Sequence, residues 1–394
     1  MNRYLPKGFK ASGIPAGIKK NGERDLGLIV SEKPADAAGV FTRNRIKAAP
    51  VLLDMERIQR HTCRAIIANS GNANCCTADQ GMRDALSISK RAALALDIPQ
   101  EEVLVASTGV IGEPLPVDTI QSAVPGLVAS LGPNGIDDFA KAIMTTDTVP
   151  KVICRTGSFG DRPVRVTGVA KGSGMIRPDM ATMLCFVVTD AQIDPSVLAG
   201  QLETANQQSF NRITIDGDTS TNDTVLLLAN GASGAAIADP ESRQRFQRLL
   251  DGLLSDLARM IVKDGEGATK LVDVIVQNAG SDQQAQRVAD TVAHSSLVKT
   301  ALFGEDANWG RIIAAIGRSG VPVLPEAIDI RFGDIQMVKN GTGCGKSAEA
   351  RATEVLKTPE FSIAIDLKMG KGSASVLTCD LSIDYVKINA DYRT

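Results

Sequence analysis

The stretch Lys171-Gly-Ser-Gly-Met-Ile-Arg-Pro-Asp-Met-Ala-Thr-Met-Leu-Cys185 decides how this chain is read. A glycine-rich, strand-like segment, Arg162 to Gly172, leads into it. Pro178-Asp179 forces a bend, because proline fixes its own φ and restricts the residue before it. Ala181-Thr182 follows, and then an apolar run, Met183 to Val188, that reads as a buried strand. A small residue and a hydroxyl therefore stand between a tight turn and a core strand, where one hydroxyl can be presented rigidly. By itself Thr182 is only a β-branched residue opening a strand, and most such threonines are structural.

At 394 residues the chain exceeds the size at which one core usually suffices, about 250–300 residues, so more than one domain is expected. A hydrophobic content of 43% is ample for folded cores, and a net charge of −2 lacks the basic surplus of a nucleic-acid binder. No apolar run reaches the length of a membrane span. The first residues, Met1-Asn-Arg-Tyr-Leu-Pro-Lys-Gly8, have no apolar secretory core. Seven cysteines without CxxC spacing read as reduced thiols, so a cytoplasmic protein is expected.

Outward from the central stretch, strands are expected at Leu26–Val30, Gly39–Thr42 and Cys63–Ala68, the last ending in a loop, Asn69 to Asn74. Thr77-Ala-Asp-Gln80 has the capping-box pattern before a helix that stops at Ile98-Pro99. Val103–Ala106 is a strand ending at Ser107-Thr-Gly-Val-Ile-Gly112. Val152–Arg155 and Val164–Val169 read as paired strands. Asp194-Pro195 opens one helix and Asp239-Pro240 the longest, with Phe246, Leu249, Leu250, Leu253, Leu257 and Ile261 on one stripe. Residues 282–302 read as helical, and strands at Ile328–Arg331, Phe361–Leu367 and Ser373–Leu381 close the chain. This mixture lacks a regular βαβ beat, so the fold class is α+β or layered α/β and not a Rossmann fold.

The string Lys171-Gly-x-Gly-Met-Ile-x-Pro-x-Met-Ala-Thr-Met183 resembles the self-cleavage signature of the ornithine acetyltransferase family, the bifunctional glutamate N-acetyltransferases/amino-acid acetyltransferases. The resemblance runs from about Gly8 to Thr394. It implies a layered α/β/β/α enzyme, like N-terminal-nucleophile enzymes, that cuts itself between Ala181 and Thr182. Residues 1–181 would form an α chain and 182–394 a β chain, paired as an α2β2 heterotetramer. The chemistry is coherent. A threonine hydroxyl needs a base, and the α-amino group freed by the cut, with an ordinary pKa of about 7.7–8.0, is one on the same residue. A Ser-His or Cys-His enzyme would have to be built from His61 and His294, and neither lies in such a motif.

The other site residues are implied by the same resemblance. Ser107-Thr-Gly-Val-Ile-Gly-Glu-Pro-Leu-Pro116 resembles the family's oxyanion loop, which gives Thr108 and Gly109 that role; on its own it is a strand-to-loop turn. Substrate contacts fall on Thr148, Lys171, Thr182, Glu266, Asn389 and Thr394. Lys171 suits an amino-acid carboxylate and Glu266 an amine; otherwise one is a loop lysine and the other a helix-ending turn. A C-terminus that binds substrate must be docked, since chain ends normally fray. The implied reaction moves acetyl from N2-acetyl-L-ornithine to L-glutamate through acetyl-Thr182, in arginine biosynthesis. No metal or bound cofactor is implied, and acetyl-CoA as a further co-substrate is left open.

Rival readings exist. A related N-terminal-nucleophile amidohydrolase or aminopeptidase would resolve the acyl-enzyme with water. Gly341-Thr-Gly-Cys-Gly-Lys-Ser347 looks like a phosphate loop, but Asn340 stands where the pattern needs glycine. Asp216, Asp218 and Asp223 miss the EF-hand spacing and read better as a hydrogen-bonded turn.

Overall fold

The computed structural model describes residues 5–177 and 183–391. They form two compact units whose segments interleave: 5–172, 183–211 and 218–261 in the first, 173–177, 212–217 and 262–391 in the second. The first unit contains β1 (Phe9–Ile14), β2 (Leu26–Phe41), α1 (Ala49–Arg57), β3 (Thr62–Asn72), α2 (Ala78–Leu96), β4 (Val103–Val110), α3 (Val117–Ala129) and α4 (Ile136–Ala142). It continues with β5 (Lys151–Phe159), β6 (Arg162–Lys171), β7 (Leu184–Thr189) and α5 (Pro195–Gln208). After β8 (Ile213–Thr214), which belongs to the second unit, come β9 (Thr224–Ala229) and α6 (Pro240–Lys263).

The first sheet runs β4-β3-β2-β9-β7-β6-β5, with β1 also on β2. β3 pairs β4 and β7 pairs β9 in parallel, while β2 is antiparallel to both β3 and β9. This mixed order is α+β and not the parallel succession of a Rossmann sheet. Both faces are covered, which is why its central strands are apolar runs without alternation. Ile29, Ile66, Leu104 and Phe186 face one core with Phe139 of α4. Leu28, Ile67 and Val105 face the other with Leu53, Ile88, Val124 and Leu127 of α1 to α3. Phe139 meets Phe186 edge-on at 5.5 Å between centroids. The stripe of α6 packs on the β5–β6 hairpin, Leu249 against Gly157 and Leu253 with Leu257 against Gly168.

The second unit holds β10 (Leu271–Ala279), α7 (Asp282–Ala293), α8 (Ser296–Phe303), α9 (Trp309–Gly317), β11 (Asp329–Phe332), β12 (Ile335–Lys339), β13 (Thr342–Gly343), α10 (Lys346–Leu356), β14 (Glu360–Asp366), β15 (Gly372–Cys379) and α11 (Ile383–Ala390). Its sheet order is β13-β12-β11-β14-β10-β15-β8. Val272, Val274 and Val276 of β10 share a core with Val288 and Val292 of α7 and Ile312 and Ile316 of α9.

Several local expectations need correction. β3 continues through Asn72, because its terminal asparagines brace neighbouring backbone instead of leaving the sheet. β2 is one strand, not two: its first half pairs β3, a register shift follows Val30, and its second half pairs β9. Thr77 does stand before α2, but its hydroxyl lies 3.3 Å from Asn74 Oδ1 and caps no helix N–H. The helix over 282–302 is broken at Ser295, which caps α8. Gly341–Ser347 is no phosphate loop. Asn340 and Gly341, both with positive φ, make the two-residue turn of the β12–β13 hairpin. Among the described residues no helix is long and apolar enough to cross a membrane.

Candidate functional site

β4 ends beside the bulged end of β3, and that junction shapes Ser107-Thr108-Gly109. Gly109 has φ +133°, and a Cβ there would lie 2.3 Å from the carbonyl carbon of Gly71. Only glycine lets the two backbones come this close. Side-chain amides fix the junction. Ser107 Oγ donates to Asn69 Oδ1 at 2.6 Å, and Asn69 Nδ2 to Asn72 O at 2.9 Å. Asn222 Nδ2 donates to both Ala73 O at 2.7 Å and Ser107 O at 2.8 Å. Thr108 is buried within this frame.

Lys171 ends β6, buried, with Nζ 2.8 Å from Thr145 Oγ1 and 3.8 Å from the Asp147 carboxylate. Asp147 also takes Lys151 Nζ at 2.7 Å and the Gly172 N–H at 2.7 Å. Burial alone would raise the Asp147 carboxyl, but Lys171, Lys151 and that N–H hold it below the ordinary carboxylate range. Sequence reasoning singled out Thr148, which is exposed, and missed Asp147, its buried neighbour. The only local signal is Lys151, four residues after Asp147 at the start of β5; the second lysine, Lys171, comes from β6 and shows no such spacing.

Asp147→Ala should destabilise the chain by about 3–5 kcal/mol, because it strands a fully buried Lys151. Urea denaturation measures this. The pH sign follows from the lowered carboxyl. Its contribution is complete above the ordinary carboxylate range and is lost as pH falls through the depressed value. The wild type should therefore lose stability more steeply than Asp147→Asn below about pH 4.

In the second unit, Glu266 and Asn389 are brought together from distant parts of the chain. Asn389 Nδ2 donates to Glu266 Oε2 at 2.8 Å, and the Glu266 N–H donates to Ser173 O at 2.7 Å. A Cβ on Gly174 would lie 2.5 Å from the Glu266 carboxylate, so glycine there makes room for it. The chain end is docked as far as it is described: Ser382 caps α11 and donates to Gly267 O at 2.6 Å. Asp216 and Asp223 both serve backbone, but of segments distant in the chain and not of a local turn. Asp216 takes the N–H groups of Met175 and Ile176, and Asp223 Oδ1 takes that of Met183 at 3.0 Å. The bend at Pro178-Asp179, the Ala181–Thr182 junction and Thr394 lie outside the described residues.

In this mixed-sheet α+β fold, the strand that follows Thr182, β7, pairs β9 in parallel, and the Gly109 junction at the end of β4 admits only glycine. The ArgJ family profile matches residues 10–394. An arginine biosynthesis bifunctional protein ArgJ from Geobacter sulfurreducens is 54% identical over 98% of this chain and 99% of its own. One from Syntrophotalea carbinolica is 53% identical over the same shares. The crystal structure of the Bacillus halodurans arginine biosynthesis bifunctional protein argJ is 47% identical, with a TM-score of 0.50, and covers 52% of this chain and 97% of its own. The chain belongs to the ArgJ family, the ornithine acetyltransferases of arginine biosynthesis that its Thr182 segment resembles.

Proposed function

We propose that the chain cuts itself between Ala181 and Thr182 and then moves acetyl from N2-acetyl-L-ornithine to L-glutamate through acetyl-Thr182. Family membership across residues 10–394, which spans every motif used above, carries this reading. The freed α-amino group takes the Thr182 proton as the hydroxyl attacks the acetyl carbonyl. Thr108 and Gly109 face the developing oxyanion. The α-ammonium returns that proton to the substrate nitrogen as the tetrahedral intermediate collapses, which breaks the C–N bond, expels L-ornithine and leaves the acetyl ester. L-glutamate then attacks that ester, restoring the hydroxyl and giving N-acetyl-L-glutamate. Lys171 suits the substrate's carboxylate and Glu266 its amine, and Thr148, Asn389 and Thr394 are the further substrate contacts that the resemblance implies. The reaction needs no metal or bound cofactor, and acetyl-CoA would enter only as an alternative acetyl donor to the same threonine.

The two products of the cut would be an α chain, 1–181, and a β chain, 182–394, paired as α2β2 in the cytoplasm. Two observations support this division. The solved Bacillus halodurans chain is about half as long as this one, since nearly all of it aligns to 52% of this chain. And β7, the first strand after the cut, lies fully buried between β6 and β9, so cut chains would stay joined by a ladder.

An exchange assay tests the reading. Purified protein given N-acetyl-L-ornithine and L-glutamate should yield N-acetyl-L-glutamate in step with ornithine. Acetate released without N-acetyl-L-glutamate would point instead to a hydrolase. In the same assay Glu266→Gln should raise KM for N-acetyl-L-ornithine by roughly 10–100-fold, the worth of a hydrogen bond to a charged group.

A further inference from the structure

We propose that Asn222-Asp223 is the strut that sets the nucleophile's chain against the oxyanion loop, with Asp223 a positioning residue acting through the Met183 amide. The proposal rests on the reading of Thr182 as nucleophile.

The segment Asn211–Thr224 is dense in hydroxyls and carboxylates, and the reaction above uses none of them. Its last residues enter β9, a central strand of the first sheet. Asp223 is fully buried there. Its Oδ1 accepts the Met183 N–H at 3.0 Å, and the next residue's N–H, from Thr224, donates to Met183 O at 3.1 Å. Both backbone groups of the residue bonded to Thr182 are thus fixed by two consecutive residues. On the other side of Asp223, Asn222 is equally committed. Its Nδ2 holds Ser107 O and Ala73 O, while its Oδ1 accepts the Thr221 hydroxyl at 2.7 Å and its N–H donates to Ser220 Oγ at 3.0 Å. Ser107 directly precedes Thr108-Gly109. Two adjacent side chains therefore grip the residue before the oxyanion pair and the residue after the nucleophile. A strut one residue long leaves little freedom in the spacing between them, and misplacement on the order of 1 Å costs about 10²-fold in rate.

The chemistry of Asp223 fits an anchor better than a proton carrier. Its Oδ2 is buried and meets no hydrogen-bond partner among the described residues, with the Thr42 hydroxyl nearby bonded to Ser220 O. Burial raises the carboxyl well above its ordinary value against the Met183 N–H, the Thr42 hydroxyl and the Lys171 ammonium. An asparagine amide oxygen can present the same acceptor to the Met183 N–H.

The test uses the full-length chain with Asp223→Asn, Asp223→Ala and Asn222→Ala. Intact mass reads self-cleavage, and the exchange assay on the cut fraction reads kcat and KM. Asp223→Asn should cleave and keep kcat within about threefold of wild type, as an acceptor-preserving substitution. Asp223→Ala and Asn222→Ala should lose roughly 10²-fold in kcat with KM for N-acetyl-L-ornithine little changed, the mark of lost positioning. Should Asp223→Ala not fold, the other two variants still decide. Full kcat in Asp223→Ala or Asn222→Ala would overturn the proposal. So would an Asp223→Asn chain that cleaves but has lost turnover, because the carboxyl would then act as an acid or base. A wild type that neither cuts nor exchanges would sink the underlying reading of Thr182 instead, and the two failures cannot be confused.

Discussion

Thr182→Ala is expected to remain one polypeptide of 394 residues and to lose acetyl exchange, by at least about 10⁴-fold. The loss has two sources that one substitution removes together. Without the hydroxyl there is no nucleophile for the acetyl carbon, and without it there is also no group to begin the cut that frees the α-amine. Thr182→Ser separates them. It keeps a hydroxyl, so it should still cut and turn over, though more slowly because the missing methyl leaves the hydroxyl freer to rotate. The fold should be untouched in both, since the buried strand that follows, β7, holds its place through β6 and β9. Intact mass, the exchange assay and a melting curve on the same samples distinguish a chemical loss from an unfolded chain.

Gly109→Ala is expected to lower kcat by roughly 10²–10³-fold, about the worth of one oxyanion donor. The reason is steric. At φ +133° an L side chain is strained, and the added methyl would lie 2.3 Å from Gly71 C and 2.5 Å from Asn72 N. Backbone cannot swing aside as a flexible side chain can, so β3 and β4 must part at their bulged ends. The Ser107–Asn69 and Asn222–Ser107 hydrogen bonds cross this junction and would be stretched. A fall in melting temperature should accompany the loss. Gly112→Ala is the comparison: it too has positive φ but meets no atom within 4 Å, so it should cost far less activity.

Much of this was legible in the residues. The apolar runs at 26–30, 63–68, 103–106 and 183–188 are strands because both faces of the first sheet are buried, and runs carry that signal without ambiguity of phase. The stripe on α6 follows from period 3.6 over a long helix, and Asp194-Pro195 opens α5 with Asp194 Oδ1 accepting the Ser196 N–H at 2.9 Å. Glu266 and Asn389 meet through a hydrogen bond that no local pattern could have shown for residues so far apart. What stayed hidden depends on long-range contacts. Asn69 to Asn74 carry loop chemistry, and only the neighbouring strand tells whether their amides cap a turn or brace a sheet. Asp147 looks like any polar-cluster carboxylate until β5 and β6 place two lysines on it. Asn222 and Asp223 read as part of a turn because their partners, Ser107 and Met183, are set by sheet order and not by spacing. The phosphate-loop likeness at Gly341–Ser347 failed for a local reason: Asn340-Gly341 is stronger hairpin chemistry than nucleotide chemistry.

The most direct test of the central claim is the intact mass of the purified protein after brief exposure to N-acetyl-L-ornithine without glutamate. The account predicts two chains, the second beginning at Thr182 and heavier by one acetyl group, with the label mapping to residue 182 and discharging when L-glutamate is added. A single uncut chain that still exchanges acetyl, or an acetyl group carried on any other residue, would contradict it.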